Sequence, residues 1–197
     1  DYNKNGSEIK SVDEKGRITE YKYDVMNRVI ETELTMGQDK KITTTEYSYG
    51  NISINTGVKI DVVTNAFITT IKNINDEIIE KTYKDHLGRT IRELSDGLYV
   101  DYTYANNGKI FTTYTGGTNE QDVYGIAEGK LSVNTYDVYG NQTDTIINPE
   151  VAGDTFKVGE NSIVTSNLSG LSSETSIVRF TSLKACVEYN LTKSCFT

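Results

Sequence analysis

The 197-residue sequence has no tryptophan, one proline (Pro149), one histidine (His86) and two cysteines (Cys186 and Cys195). A single histidine excludes a His–His metal pair and any triad that needs a second imidazole. Two cysteines, both near the C-terminus, supply no disulfide framework for the body of the chain. They are left as free thiols or as one small local bridge. No stretch approaches the roughly 18 consecutive apolar residues of a membrane helix, and no basic-then-apolar leader opens the chain. Basic residues are also short, at 20 against 28 acidic ones, for a net charge of −8. That balance gives no electrostatic footprint for nucleic acid or an anionic membrane. The chain starts at Asp1, as expected of a fragment or a mature form.

What is present points to strands. Fourteen tyrosines stand against five phenylalanines, beside 16 glycines. Threonine, isoleucine and valine are abundant, while alanine and leucine are sparse for a helical protein. The fold class expected is all-β. In "GLYVDYTYA", Leu98, Val100, Tyr102 and Tyr104 alternate with Tyr99, Asp101 and Thr103, the period of a half-buried strand. "RITEYKYD" alternates likewise, with Arg17, Thr19, Tyr21 and Tyr23 on one face, and "KIFTTYT" and "ITTTEYSYG" have the same texture.

One short pattern returns between these strands. It reads Tyr2-Asn3-Lys4-Asn5-Gly6-Ser7, then Asp13-Glu14-Lys15-Gly16-Arg17, then Tyr23-Asp24-Val25-Met26-Asn27-Arg28. It comes back as Asp85-His86-Leu87-Gly88-Arg89, Tyr104-Ala105-Asn106-Asn107-Gly108-Lys109 and Tyr136-Asp137-Val138-Tyr139-Gly140-Asn141. In each copy Gly or Asn stands three residues after Asp or its substitute, and in four copies Arg or Lys follows. Asp or Asn at a turn's first position accepts from backbone N–H groups two residues on. Gly, or Asn after it, takes the left-handed conformation that closes the turn. The expected turn residues are therefore Gly6, Asp13, Gly16, Arg17, Tyr23, Asp24, Asn27, Arg28, Asp85, Gly88, Arg89, Tyr104, Gly108, Tyr136, Asp137 and Gly140. Spacings near multiples of ten residues predict antiparallel hairpins laid side by side, a repeat architecture whose units need neighbours. From about 35 to 80 the signature is degenerate, with Tyr47 and Tyr49 as a decayed copy.

The pattern Tyr-Asp-x-x-Gly-Arg, in "YKYDVMNR", "DEKGRITEYKY", "DHLGRTIREL" and "YDVYGNQT", resembles the YD repeat of the Rhs family. Relatives of that family include the shell component of bacterial Tc toxins and the animal teneurins. The resemblance covers roughly residues 1–150. It implies stacked β-hairpins forming a strip of a spiralling, hollow β-shell that is not itself an enzyme. In bacterial members the shell commonly encloses a toxic C-terminal segment; in others the repeats serve recognition at the cell surface. The implied partners are the rest of a larger parent protein, with glycans as an alternative, and the implied location is secreted or cell-surface. Bacterial shells often end in a self-cleavage motif, DPxG, which is not present here, since Pro149 is followed by Glu150 and Val151.

The other candidate residues have plainer roles. Asp1, Asn3, Asn5 and Gly6 copy the first half of a calcium loop, but the twelfth position is Val12 where a bidentate Glu is required. A plain turn is the expectation, and no metal or cofactor is predicted. His86 occupies a turn position that is Glu14, Val25, Asn106 or Val138 in other copies, which marks it as surface filler. The segment "KACVEYNLTKSC" offers its cysteines Lys184, Glu188 and Lys193 but no histidine. The sequons at Asn5, Asn51, Asn141, Asn167 and Asn190 are frequent by chance in so Asn-, Ser- and Thr-rich a chain. Gly116-Gly117 has no Lys-Ser/Thr after it and reads as a strand end, not a phosphate loop. The repeat arginines are expected to pair with repeat aspartates and lay their stems on tyrosines. Residues 151–197 are expected to be atypical, with strand–turn–strand texture and then a serine-rich tail. The functional expectation is a structural shell segment. The alternative is a glycan-binding module, to be distinguished by solvent exposure of Tyr21, Tyr23, Tyr102 and Tyr104. An all-β hydrolase is poorly supported, because nothing marks two acids as a pair.

Overall fold

A computed structural model describes residues 1–95, 97–117, 129–167 and 176–180. Cys186, Cys195 and Asn190 lie outside these residues. The described residues hold no helix; none, accordingly, is long and apolar enough to cross a membrane. The protein is all-β, and its strands pair as antiparallel neighbours, most of them adjacent in sequence.

The chain divides into two compact units. The first comprises Asp1–Asn51 and Thr64–Leu94. It contains β1 (Lys10–Val12), β2 (Ile18–Tyr23), β3 (Val29–Met36), the first part of β4 (Asp39–Asn55), most of β5 (Ile60–Asn73), β6 (Ile78–Lys84) and β7 (Thr90–Ser95). These lie in the order β1-β2-β3-β4-β5-β6-β7. Directly opposed residues fix which side chains share a face. Lys10 opposes Glu20, Glu20 opposes Glu33 and Lys22 opposes Glu31. That face is laced with ion pairs: Lys10–Glu20 at 3.0 Å, Lys22–Glu31 at 2.7 Å, Lys72–Glu46 at 2.9 Å, and Lys40–Glu33. The other face of β2–β4 opposes Thr19 to Leu34, Tyr21 to Thr32 and Thr32 to Thr43. Alternating pleat thus sets the ion pairs on one face, with Ile42 among them, and Leu34 and Thr32 on the other, with Lys41 beside them. Burial deepens in β5–β7, where Ala66, Tyr83, Ile91 and Arg92 are buried.

The second unit comprises Ile52–Val63 and everything from Ser95 onward. It contains β8 (Leu98–Tyr104), β9 (Ile110–Gly117), β10 (Lys130–Tyr136), β11 (Gln142–Ile147), β14 (Ile163–Asn167) and β15 (Ser176–Phe180), neighbours in that order. A separate two-stranded ribbon joins β12 (Glu150–Ala152) to β13 (Thr155–Lys157). Here one sheet face is a core. Asp101 opposes Tyr114, Leu131 opposes Tyr114 and Val133 opposes Thr112. Tyr114, Leu131 and Val133 form one buried cluster with Phe156 packed on it. The part of the chain whose sequence texture changes still pairs as strands, β14 against β15. Gly116 and Gly117 end β9.

Candidate functional site: the repeated turn and its tyrosine staple

Every copy of the short pattern adopts one five-residue geometry. The first residue's N–H donates to the fifth residue's carbonyl at 2.8–3.0 Å, and the fourth residue's N–H donates to the first carbonyl at 2.9–3.1 Å. The fourth residue is left-handed: Gly6, Gly16, Gly88, Gly108 and Gly140 have φ between 76° and 81°, and Asn27 has φ 61°. This is a three-residue hairpin loop, a type I turn closed by a left-handed bulge residue. The register shift that such a bulge forces occurs beside Tyr23, Lys84, Tyr104 and Tyr136. It also qualifies the alternation expected of "RITEYKYD": Thr19 and Tyr21 share a face, and the shift intervenes before Tyr23.

The first residue's carboxylate completes the lock. Oδ1 of Asp13, Asp24 and Asp85 accepts from the N–H groups of the third and fifth residues, all at 2.9 Å. Asp137 accepts from Tyr139 and Asn141 at 2.9 and 2.7 Å, and Asn3 from Asn5 and Ser7 at 2.9 Å each. Oδ2 then receives the fifth side chain: Arg17 Nε at 2.5 Å, Arg28 Nε at 2.7 Å, Arg89 Nε at 2.8 Å and Asn141 Nδ2 at 3.0 Å. Ala105 has no carboxylate, and there Asn107 Oδ1 accepts the Lys109 N–H at 3.0 Å instead.

A seventh copy was not legible from the motif. Asn73-Ile74-Asn75-Asp76-Glu77 repeats both backbone bonds, and Asn73 Oδ1 accepts from Asn75 at 2.9 Å and Glu77 at 3.1 Å. Its fourth residue, Asp76, has φ 65°. The side-chain clamp is reversed in polarity, with Asn73 Nδ2 donating to Glu77 Oε2 at 2.7 Å. The copy lacks glycine, tyrosine and arginine. The signal that finds it is Asx at the first position with a residue tolerant of positive φ at the fourth.

These bonds set the electrostatics. For Asp13 and Asp24 the backbone N–H of Arg17 or Arg28 is the leading cause that holds the carboxyl below the ordinary range, and the same arginine's side chain adds to it. For Asp137 the Asn141 amide leads, followed by the Asn141 backbone. At Asp85 burial pushes upward, but the Arg89 side chain and the backbone N–H groups of Arg89 and Leu87 outweigh it, and the carboxyl ends below the ordinary value. Both oxygens of each turn aspartate are committed as acceptors. They are built to hold a corner, not to move a proton.

Neighbouring turns are also stapled to one another. The Tyr23 hydroxyl donates to Glu8 carbonyl oxygen at 2.5 Å, Tyr47 to that of Val29 at 2.9 Å and Tyr136 to that of Ile110 at 2.5 Å. In all three the acceptor immediately follows the fifth residue of an earlier turn. The fifth residue's cation covers the incoming ring: Arg28 lies 4.2 Å from the Tyr47 centroid and Lys109 5.9 Å from that of Tyr136. The fifth residue also reaches the next turn's fourth residue, Ser7 Oγ to Asn27 Oδ1 at 2.8 Å and Lys109 Nζ to Gly140 O at 2.6 Å. Tyr47 therefore keeps its place in the staple although β4 runs straight on past it. Tyr104 is half-buried beside Ala105. Arg28 both pairs with Asp24 and covers a tyrosine, whereas Arg17 pairs with Asp13.

The remaining candidates fall outside this arrangement. Asn3 Oδ1 is occupied by two backbone donors, and no group of three metal-ligating side chains occurs among the described residues. His86 is exposed at the second position of its turn. Second and third positions elsewhere carry exposed Val25, Met26, Leu87, Val138 and Tyr139, so the turn places no demand on them.

No protein-family profile matches the chain, and no curated protein does. Among solved structures, the crystal structure of TcdB2-TccC3-Cdc42 is similar with a TM-score of 0.42 and 15% identity. The crystal structure of TcdB2-TccC3 without its hypervariable C-terminal region is similar with a TM-score of 0.41 and 15% identity. Each match covers 89% of this chain and 10% of the other, so the chain spans about a tenth of the length of those it matches.

Proposed function

We propose that this chain is a wall segment of a larger YD-repeat protein, secreted or displayed at the cell surface, whose β-shell encloses or presents a toxin or effector region. Its work is mechanical, and it carries no catalytic step of its own. The observation that supports this reading is the repeated corner. Seven turns share one bonding scheme although their second and third residues differ freely, as expected where the fold must be continued and nothing need be bound at the tips. The staple supports it further, since in three places a tyrosine hydroxyl bonds the carbonyl that follows an earlier turn, and in two of them a cation covers the ring. Tyr21, Tyr23, Tyr102 and Tyr104, which a glycan-binding surface would present to solvent, are half-buried. Tyr23 also commits its hydroxyl to the Glu8 carbonyl.

The test is limited proteolysis of the parent protein carrying Asp24→Ala, Asp85→Ala and Asp137→Ala together. Loosened corners are expected to admit protease to the enclosed region well before the shell itself unfolds. An enclosed region that stays as resistant as in the unaltered parent would sink the wall reading.

A further inference from the structure

The β4–β5 hairpin is far longer than the others, with strands of 17 and 14 residues. Its distal half, Ile52–Val63, groups with the second unit. Where that half begins, the strand pair is not regular. Asn65 has φ 55°, in the left-handed region that favours glycine, and its N–H donates to Asn51 Oδ1 at 3.2 Å. Beside Asn51 stands Gly50. A positive φ at a non-glycine residue in mid-strand is held at a cost, and it marks where the strand pair departs from regular geometry.

The distal half lies over β8–β10, with Ile52, Ile54, Asn55 and Thr56 buried. The Asn55 N–H donates to Asp101 Oδ2 at 2.7 Å, and Asp101 is 1% exposed. The Thr112 hydroxyl donates to the Thr56 carbonyl at 3.4 Å. Gly57, at φ 88°, is so close to Leu131 that a Cβ there would stand 2.7 Å from Cδ1. Asn55 Oδ1 is used by the Gly57 N–H at 2.8 Å, but Asn55 Nδ2 is buried without a partner. Closure therefore leaves one amide dry and unbonded, a penalty that water removes when the segment lifts.

We propose that residues 52–63 are a strap that lifts from and reseats on β8–β10 as one piece, turning at Asn51 and Asn65, while the strands beneath stay folded. The strap gates a surface that contains Asp101, Thr112 and Leu131. Its own hairpin bonds, such as Thr56 N–H to Lys59 carbonyl at 2.9 Å, need not break. The opening is thus a hinge motion and not local melting.

Thiol labelling of the Thr112→Cys variant tests this, read at that position by peptide mass spectrometry over a series of urea concentrations. Thr70→Cys, buried in β5 of the first unit, is the control. Labelling at position 112 is expected to proceed at rates nearly independent of urea and at least tenfold faster than at position 70, which waits for global unfolding. Adding Gly57→Ala, which crowds Leu131, should raise the rate at 112 about tenfold further and leave position 70 unchanged. Should Gly57→Ala fail to fold, Asn65→Gly, which frees the hinge and touches no fastening contact, is expected to raise it in the same way. Labelling at 112 that follows the urea dependence of position 70 in every variant overturns the strap.

Discussion

In β1 to β4 of the first unit, charged side chains pair across one face, the other face is half-exposed, and the corners are where bonds concentrate. In β8 to β10 of the second unit, the corners are built alike, but one face is closed over Tyr114, Leu131 and Val133. The same hairpin grammar is therefore stabilised in two ways. Exposed ion pairs contribute little each, because water screens them and two long side chains must be ordered. A region relying on them depends on backbone ladders, turns and the tyrosine staple. Burial of apolar area contributes more per residue and makes the second region sensitive to volume.

The largest contrast is expected from shortening a leucine in each region. Leu131→Ala removes a side chain 9% exposed at the centre of the cluster and should destabilise by about 3 kcal/mol. Leu34→Ala, on the half-exposed face of β3, should cost about 1 kcal/mol. Urea unfolding followed by circular dichroism reads both. Equal losses would mean that the first sheet has a core comparable with the second.

Corners should behave alike in both regions. Gly88→Ala at φ 77° should cost about 1–2 kcal/mol, the penalty for a Cβ in the left-handed region. Gly108→Ala, in the other unit at φ 78°, should cost the same. Replacement by Asn should cost only a fraction of that, since Asn27 occupies the equivalent place at φ 61°. Thermal unfolding of the four variants checks the pattern, and a much larger loss at one glycine would show that its corner does more than turn.

These corners were the most legible part of the sequence for a physical reason. A residue tolerant of positive φ stands at the fourth position of all seven and Asx at the first position of six, so the chemistry is written in residue types a few places apart. Asn73–Glu77 escaped because Asp76 substitutes for glycine and Glu77 reverses the clamp. The all-β class followed from composition and alternation. The strap was illegible: β4 and β5 have ordinary Thr- and Ile-rich texture, and the bond from Asn55 to Asp101 joins residues 46 apart. Asp101 stands in the alternating strand Leu98–Tyr104 and not in a turn motif, and nothing local marks it as a carboxylate the fold buries. The tyrosine staple was half-legible, since the Arg-on-Tyr stacking was foreseeable but the choice of acceptor carbonyl depends on which hairpins become neighbours.

A smaller effect isolates that staple. Tyr23→Phe removes the donor to the Glu8 carbonyl and keeps the ring, so a loss of about 1 kcal/mol is expected. Tyr136→Phe should match it in the second unit, where the Ile110 carbonyl loses the same partner. Hydrogen exchange of the adjoining strands distinguishes a fastening that acts between hairpins from one confined to its own turn. Protection should fall on β1 and β9 as well as on the strand that bears the tyrosine.

The smallest expected effect is on pH dependence, and its sign follows from the clamps. Asp13, Asp24, Asp85 and Asp137 all have carboxyls held below their ordinary value in the folded chain. In the unfolded chain they return to about 3.9. A group whose folded value is depressed contributes stability that is fully present above the unfolded value and lost as pH falls through the folded one. Stability should therefore be level from neutral pH down to about 5 and decline below about 4. Asp85→Asn keeps an Oδ1 acceptor for the Leu87 and Arg89 N–H groups, as Asn3 and Asn73 do naturally, but has no proton to take up. It should lower stability slightly at pH 7 and shallow the decline in acid. Because Asp85 is the least exposed of the four, its variant should flatten the curve more than Asp13→Asn does. Identical curves for the two would place the acid sensitivity in the exposed ion pairs of the first sheet and not in the corners.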